Sequence, residues 1–439
     1  MTDVLIIGAG LAGLSAAQEL TKAGYCVRIL EAKNRVGGRV LSVPYQGGVL
    51  ELGAQWIAPT HKRVHALLKE ANLTLTPTFT KGKTLFFNMN TYEKIDTQPF
   101  SLHAKIDMYR FQQKLDKLAS TLPMERPWQA EKAMDLDSQS VEKFVLHTLK
   151  SETGKRFIQR KLEELMCKNL SEVSLLDLLW NIRAAGSVQN ILKAETYWLK
   201  EGTQKLAEHL SNGLTKSIEF GEVIQEVCWN DNQVTVKSKQ HTWNAKKLIL
   251  TMLSPLTNEI HFEPPLPTQY VQLTQNIGET AVIKAMVVYD RPFWRDNGLS
   301  GSSYGGEGPI HMTVDSSIEN QVGVLTIISS GREALSFGKQ SEEERKKTVI
   351  EILKRLYGEK ASTPIYYKEK KWTEEPFIRS GYGSHFPPTV LTQYKEALYQ
   401  PVGPIHFAGS ETATEWRLYM EGALASGERV AQEIIEKQN

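Results

Sequence analysis

Residues 3–32 read "DVLIIGAGLAGLSAAQELTKAGYCVRILEA", and this stretch decides the fold. Val4 to Ile7 form a short apolar run suited to a parallel strand buried on both faces. Gly8, Gly10 and Gly13 follow in the spacing GxGxxG. Gly8 permits a tight turn, Gly10 lets backbone approach a pyrophosphate, and Gly13 lets the next helix lie close on the sheet. That helix, predicted over Leu11–Lys22, points unpaired N–H groups and partial positive charge at the phosphate. A second strand, "YCVRILE", ends in Glu31, placed to accept hydrogen bonds from an adenosine ribose. Together these features predict a dinucleotide-binding βαβ unit. They do not separate NAD from FAD.

The next residues bear on that choice. "RVGGRVLS" (35–42) and "LELGAQWIAP" (50–59) follow in quick succession. Gly37 and Gly38 supply a second flexible corner, and Arg39 brings a fork of donors suited to a pyrophosphate. A lone arginine reads as surface charge. Arg35 and Arg39 bracketing a double glycine, directly after a βαβ unit, do not.

The pattern "GAGLAG…E…RVGGR…ELGAQW" resembles the opening of the flavin-containing amine oxidases, among them monoamine, polyamine and L-amino-acid oxidases. The resemblance resumes at "AVIKAMVVYDRPFW" (281–294), "KWTEEPFIRSGYGSHFPP" (371–388) and "IHFAGSETATEWRLYMEGALASGERVAQEI" (405–434). It implies an α/β fold in which a Rossmann-like FAD-binding domain is interleaved with an α+β substrate domain. The expected boundaries are 1–77, 196–273 and 374–439 for the first, and 78–195 and 274–373 for the second. The resemblance further implies FAD contacts at Gly8, Gly10, Ala12, Gly13, Glu31, Ala32, Gly38, Arg39, Gly53, Ala54, Gln55 and Trp56. To these it adds Val223, Trp372, Gly409, Ser410, Glu411, Tyr419 and Met420. For Val223 alone, a core strand position is an equal alternative.

Lys284 lies in the apolar run "AVIKAMVVYD". A charged, unpaired lysine in a buried strand costs several kcal/mol, so a depressed pKa or an exposed head is expected. The resemblance implies a catalytic lysine here, holding a water near flavin N5 and assisting reaction with O2. It likewise implies that Tyr382 and Tyr419 form two walls between which the amine passes, with Trp372 packed near the ring. The small residues after Tyr419 (Gly422, Ala423, Ala425) are then expected to let a helix N-terminus approach the flavin, where its dipole stabilises negative charge. Met420 would offer its backbone N–H.

Departures from the family pattern narrow the expectation. Monoamine oxidases of the mammalian type attach FAD through a cysteine immediately before the first of these tyrosines. Here Gly381 stands there and no cysteine occurs beyond Cys228, so FAD is expected to be held non-covalently. "GAQWIAP" carries neither the arginine expected of an L-amino-acid oxidase nor the acid often found two residues past the tryptophan in polyamine oxidases, where Ala58 stands. A primary amine on an apolar or aromatic body is therefore the expected substrate, oxidised with reduction of O2 to H2O2. Amino-acid and polyamine oxidases, a desaturase or protoporphyrinogen-type oxidase, and a catalytically silent flavin protein remain as alternatives.

The length is too great for one ordinary core, so two domains or one large composite fold is expected. The chain has 439 residues, 41% of them apolar and 23% charged, with a net charge of +2. That charge argues for neither nucleic acid nor an anionic membrane. Cys26, Cys167 and Cys228 are odd in number and far apart, so a disulfide framework and a zinc site are both disfavoured. With the first strand beginning at residue 3, no leader is expected, and the longest apolar runs fall short of the roughly 20 residues a membrane span needs. A cytoplasmic monomer or homodimer, without a metal, is the expectation. The middle of the chain reads as a hairpin at "KTLFFNMNTYEKID", then helices from Pro99 to about Ala185, then a loop and helix at "WLKEGTQKLAEHLSNG", then strands and hairpins over 217–253. Two motif matches are set aside: "GSSYG" (301–305) as a hairpin loop, because no helix follows, and His61/His65 as a solvated helix face.

Overall fold

The computed structural model describes residues 2–88, 91–95, 100–252, 255–278, 280–304, 308–317 and 322–436. Strand β1 (Thr2–Ile7), helix α1 (Leu11–Lys22) and strand β2 (Val27–Glu31) form the expected βαβ unit. β1 runs parallel to β2 on one side and to Thr242–Leu250 on the other, with Ile7 opposite Leu30 and Leu250. It is therefore interior to an eight-stranded sheet ordered His261–Glu263, Ile224–Trp229, Val234–Ser238, Thr242–Leu250, β1, β2, Ile218–Phe220, with Ile405–Phe407 also paired to Thr242–Leu250.

The period of two along β1 sends alternate side chains into different cores. Val4 and Ile6 pack with α1 and the final helix, Met420–Glu436. Leu5 and Ile7 pack on the opposite face, in a core shared with Phe111, Leu178 and Trp180 from the helical segment. That segment begins its helices as its serines dictate. Ser101, Ser140, Ser151 and Ser174 each accept a hydrogen bond from a first-turn backbone N–H, at 3.1–3.2 Å, the standard relief for unpaired helix donors. The helical segment thus shares its main core with the eight-stranded sheet.

A second sheet of seven strands runs Tyr366–Lys371, Val282–Tyr289, Gly323–Ser330, Met312–Asp315, Leu299–Tyr304, Lys83–Asn88, Thr91–Ile95. The Lys83–Asn88 and Thr91–Ile95 strands are the hairpin read from the sequence; its turn at 89–90 lies outside the described residues. Leu299–Tyr304 covers all but the last position of the "GSSYG" match, and Gly305 lies outside the described residues. Every strand of the first sheet falls within 1–77, 196–273 and 374–439, and every strand of the second within 78–195 and 274–373. Among the described residues no helix is long and apolar enough to cross a membrane.

The first and last long helices pack without room for side chains between them. A Cβ on Gly427 would fall 2.4 Å from the Ala12 carbonyl oxygen and 2.7 Å from Ser15 Cβ. α1 lies equally close on the turn before it, where a Cβ on Gly13 would fall 2.1 Å from the Gly8 oxygen. The Ser15 hydroxyl donates to the Leu424 carbonyl at 3.0 Å across the contact between the two helices. Gly427→Val is therefore expected to destabilise the fold by about 1–3 kcal/mol through overpacking. Thermal unfolding of the variant checks this, and a midpoint equal to that of the parent would refute the close contact.

Candidate active site

One long cavity joins the glycine turn after β1, the end of β2, the loop at 221–223 and the start of the final helix. Gly8 takes φ +103°, as the turn demands. A Cβ on Gly10 would meet nothing within 4 Å, and Gly10 lines the cavity, so a side chain there would fill a cradle that is otherwise open. No side chain caps α1, which leaves its N-terminus free to face an anion. Glu31 accepts from the N–H groups of Ala9 at 2.7 Å and Lys33 at 2.9 Å, which fixes its carboxylate at the cavity wall. Ala12, Ala32 and Gly38 line the same space. So does Val223, which is 41% exposed in the loop between Ile218–Phe220 and Ile224–Trp229. The core-strand alternative for it is thereby corrected. Gly13 stands outside the lining, beneath the turn.

The two arginines divide their work. Arg35 donates to the carbonyls of Val36, Gly38 and Val40, at 3.0, 2.7 and 2.8 Å, and so holds the double-glycine corner. Arg39 lines the cavity but directs its fork at Glu411, with Nη1–Oε1 2.7 Å and Nη2–Oε2 3.1 Å. It also donates to the Tyr382 carbonyl and the Ser410 hydroxyl, both at 3.0 Å. Burial pushes the Glu411 carboxyl up, and the attraction of Arg39 overrides it, leaving the carboxyl below its ordinary range. Gly409, at φ +126°, donates its N–H to Ser426 of the final helix.

Lys284 is wholly buried in the strand Val282–Tyr289, which is flanked on both sides. Its ammonium donates to the Gly53 carbonyl at 2.9 Å and to Gln55 Oε1 at 2.8 Å. Those two residues bracket Ala54, which lines the cavity. Gln55 is fixed in turn by donating to Ser316 Oγ at 2.9 Å, and the Trp56 ring lies 5.1 Å from Nζ. Burial lowers the lysine pKa to about 7, against the attraction of Glu51 and Glu195. Trp372 is buried beside Val282 and Tyr382, with its indole N–H on the Leu52 carbonyl at 2.8 Å. Gly53, Gln55, Trp56, Trp372 and Lys284 stand behind the lining rather than in it.

Tyr382, Tyr419 and Met420 all line the cavity. Their segments touch: a Cβ on Gly383 would fall 2.6 Å from Leu418 Cδ2. The Tyr382 hydroxyl and the Trp56 indole N–H are buried without a hydrogen-bond partner among the described residues, so both have unmet capacity toward a bound molecule. Desolvation raises both phenol pKa values, with Glu195 adding to the effect. The small residues after Tyr419 have two separate duties. Ala423 lines the cavity. Gly422 instead makes room for the turn before the helix, since a Cβ would fall 2.3 Å from the Trp416 carbonyl oxygen.

The solvated-face reading of His61 is overturned. His61 is fully buried, its ring edge-on to Trp416 at 4.3 Å and to Tyr419 at 5.7 Å. Nδ1 accepts from the Ala58 N–H at 3.2 Å, and burial, with a small push from His65, lowers the pKa to about 3. The reason is tertiary. Helix α2 (Lys62–Glu70) is capped by Glu421 of the final helix, whose carboxylate accepts from the Arg63 and Val64 N–H groups at 2.9 and 3.0 Å. That cap draws the start of α2 against Tyr419.

Two acids escaped the sequence reading. Glu51 is buried, accepting from Ser42 Oγ and from the N–H and hydroxyl of Thr203 at 2.7–2.9 Å. Glu195 precedes the strand Tyr197–Leu199, which bridges Ile57, next to Trp56. Burial holds its carboxyl up at about 7, against Lys161 and with Glu164, and its charge is felt at Lys284, Tyr382 and Tyr419. Glu51 is the acid of the "ELGAQW" pattern, where nothing local marks it as a partner of the lysine; Glu195 sits in no recognisable motif, and only the fold brings both to Lys284.

Comparison with known proteins agrees with this geometry. The family model for flavin containing amine oxidoreductases matches residues 11–435. A flavin-containing amine oxidase of Oncorhynchus mykiss is 31% identical over 99% of this chain and 85% of its own. Among solved structures, putrescine oxidase bound to putrescine superposes with TM-score 0.93 at 31% identity over 99% of both chains. Cyclohexylamine oxidase from Brevibacterium oxydans does so with TM-score 0.93 at 26% identity, over 100% of this chain and 99% of that one. The chain belongs to the flavin-containing amine oxidoreductase family and is an FAD-dependent amine oxidase. The open cradle at Gly10, the uncapped start of α1 and the unpartnered Tyr382 hydroxyl fit the FAD this family carries.

Removing the Glu411 carboxylate leaves the Arg39 guanidinium without its partner. Glu411→Ala is expected to lower stability by about 3 kcal/mol, the low end for a buried pair because Arg39 keeps some solvent contact. The folded-state carboxyl pKa is depressed, so the pair's contribution is complete above the unfolded value of about 4.5 and is lost as pH falls through the folded one. Urea unfolding of parent and variant should therefore converge at acid pH; a gap that widens there would contradict the pairing.

Proposed function

We propose that the enzyme oxidises a primary amine with an apolar or aromatic body to its imine, which water hydrolyses to a carbonyl compound and ammonia. The reading rests on one observation: Lys284 is buried and bonded to the residues on either side of Ala54, beside the cavity that Tyr382 and Tyr419 line. Bound FAD would supply the acceptor for the hydride equivalent leaving the α-carbon; together with the proton released from the amine nitrogen, two electrons and two protons then pass to O2 as H2O2. In this reading the dinucleotide lies against Gly8, Gly10, Ala12, Glu31, Ala32, Gly38 and Val223, with Gly13 allowing α1 to approach. Arg39, Ala54, Gly409, Ser410 and Glu411 would hold the middle and the ring end, with Gly53, Gln55 and Trp56 supporting them from behind the lining. The faces of Tyr382 and Tyr419 orient the neutral amine, Trp372 supports Tyr382, and the Met420 N–H with its helix dipole faces negative charge. Lys284 holds a water and moves a proton during reoxidation.

The segments 1–77, 196–273 and 374–439 would then bind FAD, and 78–195 with 274–373 the substrate. Three free cysteines support a reducing compartment, the cytoplasm. Non-covalent FAD is supported at Gly381, where a Cβ would fall 2.5 Å from Val282 Cγ2. Acid precipitation should release the yellow colour into the supernatant, and colour kept in the pellet would count against this.

Two kinetic experiments test the assignment. Lys284→Met should slow reoxidation of the reduced enzyme by O2 about 100-fold, the usual scale for a positioned proton-transfer group. The parent's rate should also change near pH 7, where the lysine titrates, and the variant's should not. An unaltered reoxidation rate would remove Lys284 from the mechanism. A second reading, a diamine, is favoured by Glu195, whose carboxylate near the tyrosines suits a second cation. A peroxide-coupled screen of arylalkylamines, cycloalkylamines, diamines and amino acids decides between them. If diamines lead, Glu195→Gln should lower kcat/KM for diamines at least 10-fold relative to monoamines; if arylalkylamines lead, the first reading holds.

A further inference from the structure

A fully buried carboxylate joins the two tyrosine-bearing segments. Asp177, on the helix Leu175–Ala185, has no exposed surface. Its Oδ2 lies 2.7 Å from His385 Nδ1, and its Oδ1 accepts from Arg417 Nη2 at 2.7 Å. His385 is three residues after Tyr382, and Arg417 is two before Tyr419.

The rest of the arrangement leaves Arg417 no freedom. Its Nη1 donates to Asn181 Oδ1 at 2.6 Å, one helical turn along from Asp177, and its Nε donates to the Glu411 carbonyl at 3.2 Å. The guanidinium lies 4.4 Å from the Trp180 ring centroid and 5.2 Å from that of Phe386. Leu418, between Arg417 and Tyr419, has φ +71°, a conformation that a leucine adopts only when its surroundings compel it. Burial pushes Asp177 up, but Arg417 and then His385 override it and hold the carboxyl below its usual range. Burial lowers the His385 pKa despite Asp177. The cluster is therefore one carboxylate, one guanidinium and a neutral imidazole donating Nδ1–H.

We propose that Asp177 is a positioning residue: by holding His385 and Arg417 on its two oxygens it sets the spacing of Tyr382 and Tyr419 across the amine site. Packing at Gly383–Leu418 brings the segments together but is non-directional. Two charge-assisted hydrogen bonds from one rigid helix fix both segments in orientation as well as distance. This rests on the reading that the two tyrosines face the amine.

The test uses holoenzyme carrying Asp177→Asn. Visible circular dichroism of the bound flavin, anaerobic reduction by the best amine per bound flavin, and reoxidation by O2 are measured separately. The flavin dichroism is expected to change, and reduction to slow at least 10-fold, while reoxidation stays within twofold. His385→Asn, which keeps a donor at the Nδ1 position, should recover most of the reduction rate that His385→Leu loses. If Asp177→Asn fails to fold because Arg417 is left unpaired, the neutral pair Asp177→Asn with Arg417→Gln is read in its place and should show the same split. Equal loss in both half-reactions, or unchanged dichroism with unchanged reduction, overturns the proposal. Should the parent fail to be reduced by any amine, the catalytic reading falls, and the dichroism still reports whether Asp177 orders the site.

Discussion

The contact between the two ends of the chain is the constraint on which the site depends. α1 begins at the glycine turn and the final helix begins at Met420, so packing them together brings the dinucleotide turn and Tyr419 to one cavity. Gly427 permits it, because a methyl group there would sit inside van der Waals distance of the α1 backbone, while Gly13 lets α1 lie against the Gly8 turn. Helices normally keep 8–10 Å between axes, set by the side chains at the contact, and glycine at the crossing is how sequence shortens that distance. Other long-range bonds then tighten the same junction. Arg39 crosses to Glu411 and Tyr382, and Glu421 caps α2.

Lys284 shows which effect wins inside that frame. Removing an ammonium from water carries an effective penalty of several kcal/mol, and two hydrogen bonds at 2.8–2.9 Å return only part of it. Glu51 and Glu195 oppose the penalty without cancelling it, so the lysine pKa falls to about 7 rather than staying near its ordinary value of 10.5. A group poised there populates both protonation states at physiological pH, whereas a surface lysine is almost wholly protonated.

Much of the fold was legible because its signals are local. The apolar run of β1, the glycine spacing and the paired strands at 83–88 and 91–95 each act over a few residues, and each appears where the sequence implied it. Other readings failed or were refined where a distant element intervened. His61 looked solvated because α2 is amphipathic by itself; the Glu421 cap and Trp416 bury it. Arg39 looked like a phosphate ligand, and its fork is largely engaged by Glu411, 372 residues away. Gly422 looked like room for a cofactor and turned out to be room for a carbonyl.

The sequence by itself determined the βαβ unit and the family, and it named the side chains proposed to bear the chemistry. Those follow from short-range sterics and from which side chains are present at all. Only the tertiary structure decided what each residue faces: that Lys284 is sealed behind Ala54, that Glu51 and Glu195 lie near it, and that Asp177 reaches both tyrosine segments. Burial and charge pairing depend on distances between residues far apart in the chain, and no local pattern encodes those distances.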